Sequence, residues 1–116
     1  MVKLKSNKGI LCERDESVFF ITLKHSRRRN ALSLEKLVTL SNEIDSFTKD
    51  SALRVLVIQA EGPVFSAGHD LYEIKDGTSE DHSKLFDQCA KTMEQIRTTP
   101  KPVIASVDGL ATAAGC

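Results

Sequence analysis

The strongest constraint on the fold of this chain is the alternation of short apolar stretches with longer amphipathic ones. The apolar run Val18–Leu23 is followed by a segment at residues 33–48 whose apolar residues recur at helical spacing and whose first residue, Ser33, is a favourable helix cap. A second apolar run at residues 53–58, a second helical pattern at 81–97 and a third run at 103–107 follow in order. Strands that alternate with helices favour an α/β fold with a largely parallel sheet.

Local patterns add detail to this order. The polar turn at residues 15–17 predicts a hairpin between a strand at residues 9–14 and Val18–Leu23. The unbroken apolar runs at 53–58 and 103–107 predict strands that are buried on both faces. The helix at residues 81–97 is expected to turn one apolar set inward. This set consists of Leu85, Phe86, Cys89, Met93 and Ile96.

Composition excludes several classes of function. A length of 116 residues suits one domain or part of one, and 16 basic residues balance 16 acidic ones, so no global field attracts nucleic acid or an anionic membrane. The three cysteines form no CxxC pair, which disfavours a disulfide framework and a structural zinc site. The basic first eight residues lack the apolar core of a secretory signal. The residues alone do not indicate a compartment.

Two loops rich in small residues follow two of the predicted strands. They span residues 65–71 and 108–115. Both leave the carboxyl ends of strands, where open α/β sheets place their ligands, and each is predicted to lead into a helix whose first amides lack internal partners. Small side chains let a ligand approach such amides closely. Two converging N–H groups suit a carbonyl oxygen that gains negative charge, where losing one donor costs ~3–4 kcal/mol of barrier stabilisation.

Three segments of the chain together resemble the crotonase (enoyl-CoA hydratase/isomerase) family. Residues 65–71, FSAGHDL, resemble its AGxDL element, and residues 101–115 resemble its KPVIAAVNGxxxGGG element. Residues 29–33, RNALS, resemble the element before its first long helix. The resemblance covers about residues 18–116. It implies a crotonase-type ββα spiral that is truncated after the second oxyanion-hole loop.

The same resemblance divides the chain and assigns roles to positions. Residues 1–116 are identified as the N-terminal portion of one domain, in which residues 1–17 are a leader and the first hairpin strand. The oxyanion hole is implied to consist of the backbone N–H groups of His69 and Ala114. The implied path of coenzyme A (CoA) is lined by Arg29, Asn30, Ala31, Ala67, Gly68, Asp70 and Leu71. The arginines at 27–29 are expected to meet CoA phosphates.

The family resemblance also implies partners. The expected partner is an acyl-CoA substrate, with no nucleic acid and no membrane, and CoA enters as part of the thioester without any separate cofactor or metal. Full-length relatives are expected to form homotrimers or hexamers. The wording of the two loops is most similar to a branch of the family described as mitochondrial, while a cytosolic location stays open.

The chain departs from the family pattern at three positions and in one absence. Ala113 and Ala114 replace glycines of the GGG triplet, so their methyl groups narrow the site, and His69 stands where many relatives have alanine. The family places one catalytic glutamate directly after its GGGC stretch, to which residues 113–116 correspond, and another further on, so both correspond to positions after Cys116. Three expectations follow: an acyl-CoA enzyme, a non-catalytic acyl-CoA-binding or regulatory homologue, or, for these 116 residues alone, an inactive and partly folded product.

Other interpretations of the same residues are weaker. Adjacent residues such as His69 and Asp70 rarely orient as a catalytic pair, and the three histidines lack metal-ligand spacing. Cys89 is expected to act as a small core residue. The two loops alone are compatible with close-packing turns of another α/β fold, but neither dinucleotide nor P-loop glycine motifs occur.

Overall fold

The predicted hairpin forms and is extended by a strand at the N-terminus. In the computed structural model, which describes residues 1–116, strand β1 is Val2–Asn7, β2 is Ile10–Asp15 and β3 is Val18–Leu23, and the three pair antiparallel. Residues 2–7, which the sequence assigned to the segment ahead of the hairpin, form an edge strand that pairs with β2. All six residues of β1 are exposed, and the apolar alternation in its sequence is limited to Val2 and Leu4, which is too short to indicate a strand by itself.

Besides its backbone pairing with β2, this edge strand makes an ion pair with the first helix. Lys5 Nζ lies 2.7 Å from the carboxylate of Glu43, whose side chain is almost fully buried. The thiol of Cys12 on β2 is buried in the same region. Burial, and then the nearby Glu43 charge, raises the pKa of Cys12 to about 12. Cys12 is therefore a protonated core residue and not a nucleophile.

The first crossover places helix α1, Leu34–Lys49, between two parallel strands. Its N-cap is Ser33, whose side chain accepts a hydrogen bond from the Lys36 amide, as predicted. Strand β4, Val55–Ala60, pairs parallel with β3. The apolar face of α1 packs on this sheet, and the stacked rings of Phe19 and Phe47 lie 6.3 Å apart between centroids.

The second half of the chain adds shorter elements. Strand β5 is Val64–Ser66, helix α2 is Leu71–Asp76 and helix α3 is Ser79–Thr98. Strand β6, Val103–Ala105, completes a five-stranded sheet in the order β1-β2-β3-β4-β6, in which β4 and β6 are parallel. Strand β7, Leu110–Ala111, pairs parallel with β5 in a separate two-stranded sheet, and a single 3-10 turn at Ala113–Gly115 follows it. The fold is thus α/β with a mixed main sheet.

Burial differs from prediction on α3 and β6. Of the five α3 residues expected to face inward, only Leu85 is fully buried, while Phe86 is 48% and Met93 is 37% exposed. Ile104 on β6 is 52% exposed, so the prediction that this strand is buried on both faces is wrong. The reason is that α3 packs on α1 instead of covering the sheet, and buried Thr92 donates a hydrogen bond to the Leu37 carbonyl there.

None of the helices combines the length and the apolar character that a membrane crossing requires. The core consists of 13 buried apolar residues, which come from β2, β3, α1, β4, α3 and the adjoining segments. The two small-residue loops, residues 65–71 and 108–115, contain the end of β5 and the whole of β7, respectively.

The N-terminus of α3 provides a pH-dependent prediction. Thr78 and Asp81 form a reciprocal capping box. The hydrogen bond from the Thr78 amide to Asp81 lowers the pKa of that carboxyl group. A depressed folded-state pKa contributes stability above the unfolded value of about 3.9 and loses it as pH falls through the folded value. We expect Asp81→Asn to lower the melting temperature by roughly 1–4 °C at pH 7.

The same substitution should have a smaller effect at pH 2 than at pH 7, because the wild-type carboxyl group takes up its proton as pH falls through its lowered folded-state pKa. The matched control is Asp87→Asn, at an exposed position of the same helix. Equal losses at both pH values, or an equal pH dependence in the control, would contradict the assignment. Thermal melts followed by circular dichroism at both pH values measure it.

Candidate functional site

The two small-residue loops lie against each other. The Thr112 amide donates to the Ser66 carbonyl at 3.1 Å, which extends the pairing of β5 with β7. Gly68 has φ +91°, and a Cβ at this position would lie 2.9 Å from Ala113 Cβ and 3.1 Å from Ala114 N. Both the backbone conformation and the space therefore require glycine here. The absence of a side chain at Gly68 lets the two loops meet.

Two backbone amides at this junction have no partner within the chain. Neither His69 N nor Ala114 N donates a hydrogen bond, although the next two amides after Ala114 do, Gly115 to Thr112 O at 2.8 Å and Cys116 to Ala113 O at 3.1 Å. The preceding residue, Ala113, holds a left-handed conformation at φ 51°. Unpaired amides on adjoining loops are free to donate to a ligand oxygen.

A buried asparagine fixes the wall behind these loops. Asn30 is 0% exposed. Its Nδ2 donates to the carbonyls of Glu61 and Val64 at 3.1 and 2.8 Å, and its Oδ1 accepts from the His25 amide at 2.8 Å. Its own carbonyl accepts from Ser66 Oγ at 2.9 Å, and the same Oγ accepts from the Gly68 amide at 3.2 Å. One side chain thus connects the basic loop, the end of β4 and the glycine loop.

A cleft of about 740 Å³ lies in front of this wall. It brings together eight of the residues that the sequence nominated and two others, His25 and Tyr72. Its lining consists of His25, Arg27, Arg28, Arg29, Ala31, Ala67, His69, Asp70, Leu71 and Tyr72. Asn30 and Gly68 were expected on this surface, but both are buried behind it, because the side chain of Asn30 bonds to backbone and Gly68 packs on Ala113. Ala114 lines a second, apolar cavity of about 240 Å³.

The sequence reasoning missed Tyr72 as part of the cleft. Its ring is exposed, and the Arg28 guanidinium lies 4.8 Å from the ring centroid. The carboxylate of Asp70 caps α2 by accepting from the Tyr72 amide at 3.0 Å, and it also lies 3.5 Å from the Arg28 guanidinium. An exposed aromatic residue directly after a ligand loop was the available signal.

Positive charge dominates the cleft. Asp70 is the one carboxylate in its lining, whereas Arg27, Arg28 and Arg29 all lie there, and neither Arg27 nor Arg29 has a carboxylate within ion-pair distance. Burial lowers the pKa of His25, and the nearby charges of Lys36 and Arg28 lower it further. An anionic ligand is the chemistry that this distribution favours.

The alternative site types find no support in the geometry. His69 and Asp70 make no hydrogen bond to each other, because Asp70 bonds to Tyr72 and Arg28. No group of three or more His, Cys, Asp or Glu side chains assembles in the way that metal ligands do. Cys89 is half-buried against the core, as its helical position predicted.

Asn30 provides the stability prediction for this region. Asn30→Ala should lower the free energy of unfolding by about 3 kcal/mol or more, because it leaves two carbonyls and one amide without partners and puts alanine into a left-handed conformation. Chemical denaturation measures this loss. Asn42→Ala, at an exposed position of α1, is the matched control and should change stability by less than about 0.5 kcal/mol. Similar losses for the two variants would refute the role assigned to Asn30.

Comparison with known proteins places this geometry in a family. The profile of the enoyl-CoA hydratase/isomerase family matches residues 13–116. The chain is 50% identical over 97 residues to the mitochondrial enoyl-CoA hydratase domain-containing protein 3 of Mus musculus, covering 83% of this chain and 32% of that protein. It is 32% identical over 107 residues to the 2,3-dehydroadipyl-CoA hydratase of Escherichia coli, covering 92% of this chain and 41% of that protein.

Solved structures agree with the sequence relatives. The human enoyl-CoA hydratase domain-containing protein 3 superposes with a TM-score of 0.89 at 42% identity, over 94% of this chain and 44% of that one. An enoyl-CoA hydratase from Mycobacterium smegmatis superposes with a TM-score of 0.90 at 40% identity, over 95% and 44%. The chain thus spans about a third of the length of the first of these curated relatives and less than half of each solved chain. The predicted family, branch and spiral fold are confirmed, and this chain belongs to the enoyl-CoA hydratase/isomerase family.

Proposed function

We propose that this chain binds an acyl-CoA thioester and that the backbone N–H groups of His69 and Ala114 donate hydrogen bonds to its carbonyl oxygen. The observation that carries the proposal is that these two amides have no partner in the chain although their loops touch. Donors that are fixed before the ligand arrives need no reorganisation when charge develops on the oxygen. Membership of the enoyl-CoA hydratase/isomerase family supports the same ligand class.

The cleft offers a place for the CoA part of such a ligand. The side chains of Arg27 and Arg29 are exposed and have no carboxylate partner, so they are free to meet phosphate oxygens. The small residues Ala31 and Ala67 line the same cleft as these arginines and His69 and take up little of its space. CoA thus belongs to the substrate and is not a separate cofactor.

Binding and polarisation are distinct from proton transfer. Polarised thioesters lose an α-proton or add water more readily, but hydration and isomerisation also need an acid or base. The resemblance assigns the carboxylates for that role to positions after Cys116. The proposal for residues 1–116 is therefore limited to holding the thioester and stabilising its oxyanion.

Location and assembly follow as proposals from the relatives. Several curated relatives carry the word mitochondrial in their names, which supports a mitochondrial location for this protein. The family resemblance supports assembly of the full-length protein as a homotrimer or hexamer.

A conjugated thioester tests the proposed oxyanion site directly. The absorbance of cinnamoyl-CoA shifts to longer wavelength when hydrogen bonds polarise its carbonyl group, so we expect a red shift on binding to the protein. Gly68→Ala places a methyl group 2.9 Å from Ala113 Cβ and 3.1 Å from Ala114 N and separates the two loops. The variant should lose most of the red shift and about 2- to 10-fold in affinity, which corresponds to one hydrogen bond.

Gly62→Ala is the matched control. Gly62 has the same φ of +91°, and its added Cβ would meet Ser26 Cβ at 2.8 Å, so the backbone strain is comparable but lies away from the two amides. This variant should keep the red shift. An unshifted spectrum with the wild-type protein, or an equal loss of the red shift in the two variants, would sink the proposal.

A further inference from the structure

One buried polar side-chain atom in the chain has no hydrogen-bond partner, and it lies at the candidate site. This atom is Nδ1 of His69. Buried polar groups in folded proteins are nearly always paired, so an unpaired one needs a physical explanation. The His69 ring packs edge-on against Phe86, with 5.1 Å between the centroids and 80° between the planes. Its other nitrogen, Nε2, has no partner either, but it is not buried, and His69 lines the cleft.

This burial favours one of the two neutral tautomers of the ring. A neutral imidazole has one N–H donor and one lone pair. Buried N–H groups without an acceptor are rarer than buried acceptors without a donor, because the orphaned donor is the less tolerated of the two. The lone pair therefore belongs on Nδ1 and the hydrogen on Nε2. His69 consequently presents an N–H donor on the accessible side of its ring.

Neighbouring polar groups of the chain do not use this donor. Asp70, the one carboxylate of the cleft, accepts from the Tyr72 amide and lies against Arg28. His82, which also contacts Phe86, is already bonded to the Ile74 carbonyl at 2.6 Å. The Nε2–H group of His69 is thus left for a ligand in the cleft.

We infer that His69 is a specificity-determining residue, whose Nε2–H donates to a second acceptor oxygen on the acyl group. The inference rests on the proposed function, in which the backbone amide of the same residue holds the thioester oxygen. A side chain attached to that residue reaches the first few carbons of the acyl chain. Thioesters whose acyl group carries an oxygen there bind in preference to plain alkyl thioesters of the same length.

Three thioesters of equal chain length test the inference by isothermal titration calorimetry. Butyryl-CoA has no second oxygen, methoxyacetyl-CoA has a neutral ether oxygen and succinyl-CoA has a carboxylate. The wild-type protein should bind at least one of the two oxygen-bearing ligands about three- to tenfold more tightly than butyryl-CoA, as expected for one hydrogen bond. The ligand that is preferred identifies a neutral or a charged acceptor.

Two variants separate the imidazole from the rest of the cleft. His69→Phe keeps an aromatic ring against Phe86 but removes both nitrogens, so the preference should fall to about onefold whatever happens to the absolute affinities. His69→Gln restores an amide N–H at similar reach and should recover part of the preference. His82→Ala, which removes the other imidazole beside Phe86, should leave the preference intact.

Each outcome has one meaning. Equal binding of all three ligands by the wild-type protein overturns the inference and leaves the proposed function standing, whereas no binding of any thioester removes both. A preference that survives in His69→Phe assigns it to the arginines and also overturns the inference. If His69→Phe does not fold, the ¹⁵N shifts of the His69 ring decide: a hydrogen on Nε2 supports the inference and one on Nδ1 refutes it.

Discussion

The candidate site depends on the hydrogen bonds that converge on one buried side chain. Asn30 occupies a left-handed conformation at φ 51°, which asparagine adopts more readily than most residues. Its side chain joins the nearby His25 amide to the carbonyls of Glu61 and Val64, which are distant in sequence. The Ser66 hydroxyl group extends this network to the glycine loop, because it donates to the Asn30 carbonyl and accepts from the Gly68 amide. Without this scaffold the backbone of Gly68 and His69 has no fixed position relative to Ala114, and two free amides do not become a site.

Much of this organisation follows from sequence because it is local or periodic. The N-cap of α1, the hairpin and the order of strands depend on neighbouring residues, and the structure confirms each of them. The junction of the two loops could be expected because the carboxyl ends of parallel strands share an edge and because Gly68 and the residues around Ala114 are small. The choice of the His69 and Ala114 amides in particular came from the family resemblance and not from the spacing of residues in the two loops.

The remaining features depend on tertiary contacts that no local pattern encodes. Strand β1 has apolar alternation over only four residues, and its place in the structure rests on backbone pairing with β2 and on an ion pair of Lys5 with the buried carboxylate of Glu43, far away in the sequence. The exposure of Phe86 and Met93 could not be deduced, because periodicity identifies an apolar face but not which neighbour covers it. Asn30 looked like a ligand contact in sequence, whereas its burial assigns it to the scaffold.

Ala113 has a consequence for how the site is held in the absence of a ligand. Its left-handed backbone costs alanine on the order of 1 kcal/mol more than glycine, so the native loop stores a small strain. Alanine also samples fewer backbone states than glycine when the chain is unfolded, which lowers the entropy lost on ordering the loop. Alanines in place of the family's glycines therefore reduce the number of backbone conformations that the loop can adopt around the Ala114 amide. The same methyl groups that reduce the space at the site thus also make the loop less flexible before a ligand binds.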